Sequence, residues 1–280
     1  MSNLHNLLMQ STIAADMAAA AAGGEPVTAG WLMSGDWKTA RAMALHHRVC
    51  VIDAEHGAIT INDVALCCEV LGGNGCLAIV RVPLDGDLRK AFARRCLDAG
   101  AVGILFPNVQ SGEEARELVR NCYYPAEEGV SGTRGFGFGG CNADGAAFDA
   151  YAKSANSKIV VGVQLENKAA FTEEVLNDIF SVPGLRFTQD GPYDHSGRYL
   201  VPGQTSDARV QADLKLYREI ARKHKVSAGK HVVLVTPEAI TDAVKAGYSF
   251  IALGTDAKHT HAGVELALAA VKDGRKAAKL

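Results

Sequence analysis

Short apolar runs rich in Val and Ile alternate along the chain with longer segments whose apolar positions recur at helical spacing. The runs predict strands at Val27–Met33, Val49–Ala54, Leu77–Val82, Val102–Phe106, Ile159–Leu165, Leu185–Thr188, His231–Val235 and Phe250–Leu253. Between them, Leu88–Ala99, Gly112–Asn121, Ala170–Phe180, Asp207–His224, Pro237–Ala246 and Ala262–Lys272 read as amphipathic helices. Eight strand–helix cycles are the number that closes a parallel sheet into a barrel without a free edge. An open doubly wound sheet would use the same alternation but needs a Gly-rich turn directly after its first strand. The one Gly-rich stretch, Gly132 to Gly140, precedes the fifth strand and opens no helix, so the barrel is the expected architecture.

Length agrees. At 280 residues the chain suits one (β/α)8 barrel, which typically takes ~250. No linker divides it, and the expectation is a single domain over 1–280, with residues 1–24 forming a peripheral helical extension. A net charge of -2 with no basic tract excludes a dedicated nucleic-acid surface. No stretch approaches the ~20 apolar residues of a membrane span. Seven cysteines, odd in number and without a Cys-x-x-Cys pair, read as reduced, mostly buried thiols of a cytoplasmic protein.

Barrel chemistry sits at the C-terminal ends of strands, and five apolar runs end in polar residues there. They are Asp53-Ala54-Glu55-His56-Gly57, Arg81, Gln164-Leu165-Glu166, Gln189-Asp190-Gly191-Pro192-Tyr193-Asp194-His195, and Gly254-Thr255-Asp256. Any one could cap a helix or pair with a neighbouring acid. Together they would bury too much charge on one rim without a ligand. Glu166 and Asp194, hard oxygen donors at successive strand ends, are the metal candidates, in a pattern that suits Mg²⁺ or Mn²⁺, with other divalent ions open. His46, His47, His259 and His261 fall away from this rim and read as solvated loop residues. Lys168, two residues past Glu166, reads as facing solvent.

These residues resemble the HpcH/HpaI family, class II pyruvate-dependent aldolases that include hydroxy-ketoacid aldolases and macrophomate synthase. The likeness runs from about Gly30 to Ala270. Asp53-Ala54-Glu55-His56 is similar to the family's Asp-x-Glu-His, Gln164-Leu165-Glu166 to its Gln-x-Glu, and Gly191-Pro192-Tyr193-Asp194 to its Gly-Pro-x-Asp. Tyr124-Pro125 and Gly132-Thr133-Arg134-Gly135 are similar to its Tyr-Pro and Gly-x-Arg-Gly. The resemblance implies a phosphoenolpyruvate/pyruvate-type barrel with Asp53 and His56 as an acid–base dyad and Arg81 on the keto oxygen. It further implies Glu166 and Asp194 as metal ligands, with Gln164, Gly191, Pro192 and Tyr193 around the substrate.

The implied reaction is cleavage or formation of a carbon–carbon bond beside the keto group of a 2-keto acid, with pyruvate and an aldehyde as the small-molecule partners. Decarboxylation of oxaloacetate or another β-keto acid is the alternative, and a non-catalytic metabolite-binding barrel the distant one. A homo-oligomer, trimer or hexamer, is implied through the last helix, with Val264, Leu266, Leu268 and Val271 on it. The chain departs from the family where Gln189-Asp190 replaces apolar residues and His195-Ser196-Gly197-Arg198 replaces Leu-Ser.

Overall fold

A computed structural model describes residues 11–137 and 145–277. Gly139, Gly140 and Cys141 lie outside them, as do the first ten residues of the expected extension. Eight parallel strands close into a barrel in sequential order, with β1 hydrogen-bonded to β8. They are β1 (Val27–Leu32), β2 (Val49–Asp53), β3 (Leu77–Arg81), β4 (Gly103–Phe106), β5 (Val160–Leu165), β6 (Leu185–Asp190), β7 (Ser227–Val232) and β8 (Phe250–Leu253). Strands β2 to β5 are buried along their whole length. Barrel lumen on one side and helices on the other leave no polar face, which is why they read as unbroken apolar runs.

The helices on the outer face are α2 (Trp37–Ala44), α3 (Ile61–Gly73), α4 (Gly86–Asp98), α5 (Gly112–Cys122), α6 (Gly145–Lys158), α7 (Glu173–Phe180), α8 (Pro192–Arg198), α9 (Ala208–His224) and α10 (Pro237–Lys245), followed by α11 (Asp256–Ala277). Their starts are set locally. Thr60 and Asp63 form a reciprocal capping box on α3, while Asp36, Ser111, Thr172 and Thr236 cap α2, α5, α7 and α10 through side-chain oxygens.

Two expectations need correction. The N-terminal helix α1 (Ile13–Ala21) is not peripheral: Ile13, Met17 and Ala20 are buried, and the helix packs on β1, β6 and β7. Ile13, Met17 and Ala20, spaced at about one helical turn, form the face that packs there. The seventh strand starts four residues and ends three residues earlier than expected, at Ser227–Val232 instead of His231–Val235. Its residues are small and polar because the barrel is crowded there: a Cβ on Gly229 would come within 2.4 Å of the Thr188 carbonyl oxygen. Hydroxyls serve as partners instead, Ser227 with Ser249 and the Gly229 N–H with Tyr217. The apolar run that suggested a strand emerges past the rim, leaving Leu234 and Val235 exposed. His231 consequently sits near the end of a strand, at the level of the cavity.

The six described cysteines are all free and buried. Burial raises their thiol pKa, as at Cys67, pushed to about 11, so these thiols stay protonated and inert.

Candidate active site

A cavity of about 290 Å³ opens at the C-terminal ends of the strands. Asp53, His56, Arg81, Gln164, Gly191, Pro192, Tyr193 and Asp194 all line it. Glu166 stands directly behind Gly191, where a Cβ would lie 2.1 Å from its Oε2. Only glycine at 191 lets the backbone pass this carboxylate. Thr255 also borders the cavity, while Asp256 turns away and accepts the backbone N–H groups of Met33 and Ser34. Lys168 is exposed on the 3₁₀ turn Lys168–Ala170. Arg134 is buried over the Tyr124 ring and paired with Asp98, a structural use of the Gly-x-Arg-Gly stretch.

Asp53 and Arg81 are register partners on β2 and β3, and their side chains form a buried bidentate pair. Arg81 donates Nε–H to Asp53 Oδ1 at 2.9 Å and an Nη2 hydrogen to Oδ2 at 2.5 Å. Asp53 also accepts Trp31 Nε1–H and the backbone N–H groups of Glu55 and His56. Burial alone would raise its pKa; the hydrogen bonds and charge of Arg81, helped by the other donors, bring it below the usual carboxylate value. The guanidinium lies over the Trp31 ring at 4.9 Å, and His231 stacks on Trp31 at 4.4 Å.

The expected Asp53–His56 dyad is not built as such. Asp53 engages the backbone of His56, whose half-exposed ring has its Nε2 3.9 Å from Glu55 Oε2. Glu55 also lies 3.0 Å from Arg81 Nη1. The sequence reading left Glu55 without a role, although it sits inside the segment that carries Asp53 and His56. Burial, then the charges of Asp53 and Asp194, raise the Glu55 pKa to about 7 against the pull of Arg81.

Glu166 is also raised to about 7, by burial first and by Glu55 and Asp194, although the Gln164 amide donates to its Oε2. Among the described residues no group of three His, Cys, Asp or Glu is gathered as a ready metal cluster. The two oxygen donors expected from the sequence, Glu166 and Asp194, lie near enough for the Asp194 charge to act on Glu166. Two oxygen donors with an electrostatic demand for positive charge fit a hard divalent cation that keeps open positions.

The departures at 190 and 195 turn out to be one feature. Strand β6 runs two residues further than expected, and its last residue, Asp190, accepts His195 Nδ1–H at 2.9 Å. The other ring nitrogen meets Asp213 Oδ2 at 3.1 Å, Tyr199 donates to the same oxygen, and Phe171 stacks on the ring. An ionic cluster thus ties the end of β6 to α8, the helix that carries Asp194, and to α9. Burial would lower the His195 pKa, but the two carboxylates raise it to about 9 from 6.5. Because the folded value lies above the unfolded one, the stabilisation is complete below pH 6.5 and is lost as pH rises through 9. Chemical denaturation of the wild type should show this decline, and His195→Leu should lack it. The variant should be less stable by about 3 kcal/mol at neutral pH, since two shielded carboxylates lose their partner.

The family described as HpcH/HpaI aldolase/citrate lyase matches residues 38–262. A hydroxypyruvate/pyruvate aldolase of Roseobacter denitrificans is 32% identical over 209 residues, 74% of this chain and 77% of that protein. One of Agrobacterium fabrum is 32% identical over 239 residues, 83% of this chain and 84% of its own. In three dimensions the chain is similar to the crystal structure of macrophomate synthase, with TM-score 0.79 at 20% identity, covering 94% of this chain and 90% of that one.

Proposed function

Because the chain belongs to the HpcH/HpaI aldolase/citrate lyase family, we propose that it is a divalent-metal-dependent carbon–carbon lyase that makes and cleaves hydroxy-keto acids through a pyruvate-type enolate, with an aldehyde as second partner. The observation that carries this reading is the buried Asp53–Arg81 pair, which fixes a guanidinium at the wall of a cavity lined by Asp194, with the Glu166 carboxylate buried just behind Gly191. The names of the relatives, hydroxypyruvate/pyruvate aldolases, point to the same substrate class.

Glu166 and Asp194 would hold the cation, Mg²⁺ or Mn²⁺, which when bound supplies a Lewis-acid charge to the carboxylate and keto oxygens of the 2-keto acid. Arg81 does the complementary work. With Nε–H and one Nη2 hydrogen committed to Asp53 and Nη1 beside Glu55, its plane is fixed at the cavity wall, where its charge stabilises negative charge developing on the keto oxygen. Gln164 orients the Glu166 carboxylate and lines the substrate's side of the cavity. Gly191 and Pro192 form its wall, with the partly exposed Tyr193 at the mouth. His56 at the rim takes the proton of the 4-hydroxyl in cleavage and returns it in synthesis. Glu55 is the neighbouring acid able to set its ring. The test is release of pyruvate from a panel of 4-hydroxy-2-keto acids with and without chelator. Release that requires added divalent ion supports the reading, and full activity in excess EDTA contradicts it.

We further infer a homo-oligomer, such as the trimer or hexamer expected above, formed through α11. The alternative, packing of this helix on its own barrel, conflicts with exposures of 52% at Val264, 74% at Leu266, 53% at Leu268 and 59% at Val271. Val264, Leu268 and Val271 share one side of the helix, and exposed apolar residues of this kind are characteristic of an association surface. Light scattering at micromolar concentration should return an oligomer, and a monomer would contradict the inference. No helix among the described residues is long and apolar enough to cross a membrane. Free buried thiols suit a reducing compartment such as the cytoplasm.

A further inference from the structure

The wall of the cavity formed by β6 and β7 holds a buried hydrogen-bond acceptor that no protein donor meets. Gln189 points inward as the register partner of Gln164 and Gly229, and it is 1% exposed. Its Oε1 is buried and has no hydrogen-bond partner, and the residue lines the cavity. Two residues beyond Gly229 on β7, His231 lines the same cavity, its ring held by the stack on Trp31. His231 Nε2 lies 3.0 Å from the Gly254 carbonyl oxygen, so Nε2 carries the proton and Nδ1 is left as an acceptor. Enclosure in the wall, and the Arg81 charge, lower its pKa to about 4, so the ring is neutral at physiological pH.

Three neighbouring donor hydrogens are committed elsewhere. Trp31 Nε1–H goes to Asp53, Gln164 Nε2–H to Glu166 and His231 Nε2–H to Gly254. A buried carbonyl oxygen left without a donor costs folding free energy, so a donor brought by the ligand is strongly favoured. A carboxylate or keto oxygen cannot supply it, because both are acceptors; a hydroxyl can.

We propose that Gln189 Oε1 and His231 Nδ1 form a hydroxyl-recognition subsite, which makes the enzyme selective for substrates carrying a hydroxyl beyond the one that reacts. This deepens the aldolase reading and rests on it. The hydroxyl could be borne by the keto acid, as in hydroxypyruvate, or by the aldehyde, as in glycolaldehyde. Both present the same O–H to the same acceptors.

The experiment has two arms with the metal-loaded wild type. One compares kcat/KM for hydroxypyruvate and pyruvate with a single aldehyde. The other compares glycolaldehyde and acetaldehyde with pyruvate. A site built around a hydroxyl should prefer the hydroxylated member by roughly tenfold or more in one arm, and that arm identifies its bearer. Gln189→Leu and His231→Phe, which keep volume and stacking, should each collapse the ratio toward unity. The wild-type comparison needs no variant and stands even if one fails to fold. No preference in either arm, or a preference that neither substitution changes, would overturn the proposal. Pyruvate turnover in such an experiment would leave the aldolase reading intact, whereas no turnover of any pair would count against that reading instead.

Discussion

Glu166→Gln should give a folded barrel with aldol turnover below detection. The wild-type carboxylate is buried among Glu55 and Asp194 and held at a pKa of about 7, so an amide of the same shape removes an electrostatic burden from the metal-free protein. The melting temperature of the variant without metal should therefore equal or exceed that of the wild type, the trade of stability for function common at binding sites. Adding Mn²⁺ separates the two by a readout independent of activity. The wild type should gain thermal stability with rising metal concentration, as a folded-state ligand requires, and Glu166→Gln should gain little or none. Equal stabilisation of both would remove Glu166 from the ligand set.

The second large effect distinguishes aldol cleavage from β-keto acid decarboxylation, which share the enolate but not the proton that is removed. His56→Ala should slow aldol cleavage on the order of a hundredfold to ten-thousandfold, while retaining most oxaloacetate decarboxylation, which loses carbon dioxide and needs no base. From sequence, Asp53→Asn is expected to be a weaker copy of that variant. The geometry reverses this ranking. Asp53 touches only the backbone of His56, whereas it holds Arg81 through two hydrogen bonds. An amide at 53 would turn an NH₂ group toward a guanidinium or abandon one of its donors. Asp53→Asn should therefore depress both reactions in kcat by about a hundredfold or more, the scale on which loss of one oxyanion donor acts. If Asp53→Asn spared decarboxylation as His56→Ala does, Asp53 would be serving the histidine after all.

Strand order, barrel closure and the rim positions of Asp53, Arg81, Gln164 and Asp194 were legible because apolar runs and the polar residues that end them are local patterns. Strand β7 was not, because its small and polar residues are selected by crowding from Thr188 and Phe250, neighbours distant in sequence. That shift hid His231, which looked like the start of a strand and is part of the cavity wall. Trp31 was invisible as a site residue because nothing in Ala29-Gly30-Trp31 reveals that its ring separates Arg81 from His231. The partners of His195 were equally hidden. Asp213 lies on another helix, and only the fold makes it the second carboxylate of a buried imidazole. Glu55 was not placed by strand alternation either, because β2 ends at Asp53 and Ala54, Glu55 and His56 form the turn after it.

Proton exchange at C3 of pyruvate tests the central claim most directly, because it reports enolate formation without any choice of aldehyde. With enzyme and Mn²⁺ or Mg²⁺ in D₂O, the residual methyl proton signal of pyruvate, followed by NMR after removal of the metal, should decay at a rate proportional to enzyme concentration. EDTA and Arg81→Lys, whose ammonium cannot reproduce the planar donor fork, should each stop that decay. A methyl signal that persists at wild-type enzyme with every divalent ion supplied, or that decays equally in excess chelator, would contradict the account.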